Sequence, residues 1–128
     1  MQALSKETTG ERNVSTEALL KEIQEQIEDR KGEQLVILDM RDLSTVTDFF
    51  VLTTGNSAPH LRALAEQTEI NLKKAGHPVY RKAGDNRSDW YVLDYVDVVV
   101  HIMSAESREF YDLETLWSDA PVIYRGED

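Results

Sequence analysis

The stretch WYVLDYVDVVVH, residues 90–101, admits few folds. Residues 90–93 and 98–103 have the β-branched and aromatic make-up of strands. The short acidic segment between them leaves room only for a tight turn. Side chains alternate along a strand, so 90, 92 and 94 face one way and 91, 93 and 95 the other. One member of each adjacent pair should therefore be the more exposed. Val96 sits in the turn. A two-residue hairpin turn of the primed types needs positive φ, which a β-branched residue resists. The expectation is a negative φ at Val96 and a longer turn or one of another type.

The remaining chain supplies partners for this hairpin. Ser15 or Thr16 can cap a helix running to about Lys31, with Leu19, Leu20, Ile23 and Ile27 on one face and Gly32 as its stop. Residues 35–38, LVIL, form a continuous apolar run typical of a strand covered on both faces. Residues 39–48 read as a polar connection and 49–53 as a second strand. Ser57 then caps a helix over residues 58–75, with Pro59 in its first turn and Gly76 at its end. Residues 78–81 suit a short edge strand, since a proline opens it. Residues 83–89 read as a polar loop, and 105–117 as helical. The order α-β-β-α-β-β-β-α predicts one α/β (α+β) domain, a five-stranded mixed sheet flanked by helices. Residues 15–120 are its expected extent. Residues 1–14, polar and without periodicity, are expected to be a disordered tail, and residues 121–128 a C-terminal tail.

Charge narrows the partners. The chain carries a formal net charge of −10. Nucleic-acid backbone is bound by displacing counterions with Lys and Arg, so direct nucleic-acid binding is not expected. A basic protein partner is favoured instead. From Asp94 onward nine acids stand against two arginines, which concentrates the acidic face in the last third. The absence of cysteine excludes disulfides and thiolate chemistry. No apolar run approaches the ~20 residues of a membrane helix, and no secretion or transit signal is recognisable, so a cytoplasmic location is expected.

No catalytic constellation is visible. Residues 54–57, TGNS, join a strand to a helix, where free amides can cradle phosphate, but they lack a Walker lysine and the three-glycine fingerprint. Gly55 as a turn residue and Ser57 as a plain cap account for them. Asp39, Asp42, Asp48, Asp94 and Asp97 lie at strand ends or in loops without an Asp-x-Asp pair. Two-metal chemistry needs carboxylates that converge, so hydrogen bonding to turn amides is the expected role. His60, His77 and His101 share no metal spacing, and His101 is expected to be satisfied by packing and one hydrogen bond. Neither metal nor cofactor is expected.

One set of residues carries a resemblance. Asp39, the TDFF run at 47–50, the TGNS junction, Trp90, Asp94-Tyr95 with Asp97, Val100-His101, Arg108, Tyr111, Leu113, Glu114, Leu116 and Trp117 occur in an order similar to that of the ribosomal silencing factor family, RsfS or Iojap. The likeness covers residues 19–117. It departs where the family's tight turn carries Gly and this chain has Val96, and where its loop has Glu-Gly and this chain has Ala83-Gly84. The resemblance implies a nucleotidyltransferase-like topology without catalysis. It implies that the partner is the large ribosomal subunit, reached through the basic ribosomal protein fourteen, and that occupancy sterically blocks subunit joining when nutrients are short. It further implies a contact surface of Trp90, Tyr91, Val92, Asp94, Tyr95 and Asp97, with His101, Arg108, Tyr111 and Trp117. The alternatives are a nucleotide-binding or nucleotidyl-transferring enzyme built on the TGNS junction, and a homodimeric scaffold.

Overall fold

A computed structural model describes residues 5–85 and 87–126, with side chains described from residue 15. Ten elements follow one another: α1 (Ser5–Asp29), β1 (Glu33–Asp39), β2 (Phe49–Gly55), α2 (Ala58–Lys74), β3 (Arg81–Asp85), β4 (Trp90–Asp94), β5 (Val98–Ser104), α3 (Ala105–Tyr111), α4 (Leu113–Leu116) and β6 (Val122–Arg125). The strands form one sheet in the order β3-β4-β5-β2-β1-β6. β2 and β5 pair in parallel and every other pair is antiparallel. The mixed sheet flanked by helices is as expected.

The sheet has two unequal faces. α1 and α2 lie together on one of them. Ile23, Ile27, Leu64 and Leu72 from the helices and Val51, Val98, Val100 and Ile102 from the central strands are fully buried there. Fully burying side chains of this size stabilises by roughly 1.5–3 kcal/mol each. The opposite face carries a smaller cluster of Val36, Leu38, Met40, Leu52 and Ala120, partly covered by Leu113 and Trp117. β4 alternates as its sequence requires: Tyr91 and Leu93 pack into the helix-side core, while Trp90 and Val92 turn to the other face.

The chain ends differ from expectation. The sheet has six strands, because residues within the expected C-terminal tail form β6 along the free edge of β1, with Ile37 opposite Tyr124 and Leu38 opposite Val122. Residues 127 and 128 lie outside the described residues. At the other end α1 begins at Ser5 within the expected tail, while residues 1–4 lie outside the described residues. β3 is displaced onto residues expected to be loop, and every residue in it is exposed. Backbone pairing to β4 holds it there, from Arg81 opposite Asp94 to Asp85 opposite Trp90. Gly84, at φ +91°, permits the approach: a Cβ there would lie 1.9 Å from the Trp90 carbonyl oxygen. The helix expected over 105–117 is broken at Asp112, which adopts the left-handed conformation (φ 48°), ends α3 and caps α4.

Val96 also overturns its expectation. Its φ is +74°. The Asp97 amide donates to the Tyr95 carbonyl at 2.9 Å, which closes a γ-turn on Val96, a rare and strained conformation. Four hydrogen bonds hold it there. The Val96 amide donates to Asp94 Oδ1 at 2.8 Å and the Tyr95 amide to the Val98 carbonyl at 2.8 Å. The Asp97 carbonyl accepts from the amides of Asp48 and Phe49 at the start of β2.

Candidate interaction face

The face that α1 and α2 leave open carries a chain of aromatic rings. Phe50 of β2 sits edge-on to Trp117, with centroids 6.0 Å apart, and to His101 of β5 at 4.7 Å. His101 lies 5.8 Å from Trp90, Trp90 lies 4.7 Å from Tyr111 of α3, and Tyr111 meets Phe110 at 5.0 Å. Six rings thus form one band, five of them from β2, β4, β5 and α3 and the sixth, Trp117, just past α4. One end of it is exposed, Phe110 at 79% and Tyr111 at 49%, while Trp117 at the other end is half-buried. Leu116 of α4 is also exposed, at 67%. Large amphipathic aromatics of this kind are the side chains from which binding hot spots are built.

His101 anchors the band from beneath. Its Nδ1 accepts the Trp90 Nε1–H at 3.1 Å, so the ring proton of neutral His101 resides on Nε2. That Nε2 is buried without a protein partner. Desolvation pushes the His101 pKa down from 6.5 to about 4, so the imidazole is neutral at physiological pH and serves as a fixed acceptor for the indole.

The ten residues expected at the contact surface separate. Trp90, Val92, Asp94, His101, Tyr111 and Trp117 belong to the open face. Tyr91 packs against the helix-side core, and Tyr95 is buried in it. Burial raises the Tyr95 phenol pKa, with Glu69 adding to the shift. Asp97 serves the turn, its carboxylate accepting from the Thr16 hydroxyl at 3.4 Å. Arg108, expected at the surface, is only 7% exposed. Its guanidinium donates from Nε and Nη2 to Glu114 at 3.1 and 2.9 Å, and from Nη1 to Thr54 Oγ1 at 3.1 Å. It ties α3, α4 and β2 together. Phe50 was not anticipated, although an adjacent Phe49-Phe50 pair on a strand must send one ring to each face.

The TGNS junction is occupied by its own side chains. The Ser57 hydroxyl accepts the His60 amide at 3.1 Å, and His60 Nδ1 accepts the Asn56 amide at 3.0 Å. The cap reading fits these bonds. Asp39 is held by Arg41 Nε and Nη2 at 2.9 and 2.7 Å, which lowers its pKa. Asp94 faces Arg81 at 3.4 Å. Among the described residues no three acidic or histidine side chains group closely enough to hold a metal ion, and no helix is long and apolar enough to cross a membrane.

Comparison with known proteins decides the kinship. The sequence model of the family described as "Ribosomal silencing factor during starvation" matches residues 13–128. The chain belongs to this silencing factor family. Among its relatives, the ribosomal silencing factor RsfS of Halalkalibacterium halodurans is 34% identical over 110 residues, covering 86% of this chain and 94% of that protein. That of Haemophilus influenzae is 37% identical over 101 residues, covering 79% and 99%. The fold is shared as well. The crystal structure of a Chromobacterium violaceum protein superposes with a TM-score of 0.76 at 33% identity, over 80% of this chain and 85% of that one. The silencing factor family thus accounts for nearly the whole described structure.

Proposed function

We propose that this protein silences ribosomes: it binds the large subunit through ribosomal protein fourteen and, by standing on the joining face, keeps the small subunit away when nutrients are short. The observation that carries this reading is the family match across residues 13–128, together with relatives named as ribosomal silencing factors. The open face supplies a physical means. It offers an aromatic band centred on Trp90, and the net charge of −10 favours encounter with a basic protein. Steric exclusion needs no catalytic group. A cytoplasmic site of action belongs to the same reading.

The test follows subunit joining by sedimentation, with separated subunits mixed in the presence of increasing protein. Co-sedimentation with the large subunit and loss of joined ribosomes are expected. Full joining at saturating protein, with none of it on the large subunit, would overturn the reading.

A further inference from the structure

A trough of about 440 Å³ lies on the same face as the aromatic band, at the end of the sheet near the β4–β5 turn. Phe50, Val99 and His101 line it, and three loops bring Val46, Tyr80 and Val96 to it. These last three are exposed at 80%, 68% and 50%. Single exposed apolar residues are ordinary, whereas several converging on one apolar trough mark a contact site. Val96 adds an independent sign. A glycine would hold the γ-turn without strain. The valine holds it at a cost, and its side chain is half-exposed at the trough instead of buried in the core. Strain at an over-determined position commonly accompanies function.

We propose that this trough is a second anchor site for the basic ribosomal protein, seating one apolar side chain of that partner against Val46, Tyr80 and Val96. The inference rests on the ribosome-binding reading and adds a place and a chemistry to it. Continuity supports the assignment, because His101 both lines the trough and carries the Trp90 indole. Charge selects the occupant. Among the described residues lining the trough, Arg81 is the one cation and Asp94, 3.4 Å from it, the one anion, so the lining carries no net charge to repel a basic protein. A second copy of this chain would bring its own charge of −10 against the first. Val96 thereby becomes a specificity residue: its methyls narrow the trough where a glycine would leave it wider.

Binding to purified large subunits, measured for the whole protein and four variants, tests this. Val46→Asp places a charge where a side chain should seat, on a residue too exposed to matter for folding, and is expected to weaken binding about tenfold or more. Val96→Gly is expected to melt at a higher temperature yet bind several-fold more weakly, a pairing of signs that loss of fold cannot produce. Ile70→Asp, an exposed apolar position on α2, is the control and should bind like the parent. Trp90→Ala reports on the aromatic band separately. If the parent does not bind, both this inference and the function it rests on fall. If the parent binds and Trp90→Ala weakens it, while Val46→Asp and Val96→Gly bind unchanged, the trough assignment alone is overturned. If Val46→Asp instead dissolves a dimer in analytical ultracentrifugation without altering subunit binding, the occupant is a second copy and the proposal fails.

Discussion

Trp90 and His101, eleven residues apart in sequence, are joined across β4 and β5 by one hydrogen bond from indole to imidazole. The bond fixes the indole plane and requires a neutral histidine. A residue offered for contact is thus oriented by one that is itself buried. Three consequences concern this pair or its surroundings, and a fourth concerns the turn beside them.

His101 should make stability depend on pH in a defined window. Its folded pKa, about 4, lies below the ordinary 6.5. Above pH 6.5 both states are neutral and the contribution is complete. As pH falls from 6.5 toward 4, the unfolded chain takes up a proton that the folded chain refuses, so stability declines by up to about 3 kcal/mol. Below pH 4 this loss levels off. Carboxylates titrate nearby, so the measurement is the difference between parent and His101→Gln in urea midpoints across pH 7 to 4. Parallel curves would contradict the assignment.

Trp90→Phe separates the hydrogen bond from the ring. It keeps a ring to stack on Tyr111 but leaves Nδ1 of a buried histidine without its donor, at a cost of about 1–3 kcal/mol. Trp90→Ala loses packing as well, and truncating an aromatic hot spot costs ~2 kcal/mol or more of binding, roughly thirtyfold in affinity. Thermal melts and subunit binding, measured on both variants, should rank phenylalanine above alanine in each assay.

Arg108→Met should destabilise the fold by about 2–4 kcal/mol, because the buried half of the pair is removed while Glu114 stays partly exposed. Arg108→Lys should recover little, since an ammonium cannot reproduce a fork that meets Glu114 twice and Thr54 once. Denaturant unfolding of both variants gives the comparison. A lysine variant as stable as the parent would show that charge alone suffices.

Val96→Gly should stabilise the isolated protein by about 1 kcal/mol. Relief of a positive φ returns roughly 1–3 kcal/mol, and the freedom of glycine in the unfolded chain takes back about 0.5–1. Calorimetric melting resolves such a change. A lower melting temperature would mean that Val96 packs better than its exposure suggests.

What could be read from the sequence tracks where side chains, rather than backbone, decide. The alternation along β4 and the cap at Ser57 are written in residue types, and both have their expected geometry. β3 and β6 are held by backbone pairing at the sheet's edges, where side chains are largely exposed and give no apolar signal. The positive φ of Val96 runs against its residue type, because Asp94 and the amides of β2 outvote it. Arg108 reads as a surface charge until the chain turns at Asp112 and brings Glu114 back to it. The only hint was a carboxylate six residues on. The open face itself was half legible: the tryptophan announced it and the alternation of Phe49 and Phe50 along β2 carried a signal for Phe50, whereas the trough depends on loops that meet only after folding.

The seam between β1 and β6 sets a timetable for the newborn chain. β1 is complete by residue 39, but the strand that covers its outer edge starts at Val122. Through most of synthesis that edge keeps its amides and carbonyls unpaired, in a strand whose middle is wholly apolar. An edge of this kind is a template for pairing with another chain. Removing residues 122–126 should therefore strip only the partial cover of Tyr124 from the helix-side core and increase association, read as sedimentation that grows faster with concentration than the parent's.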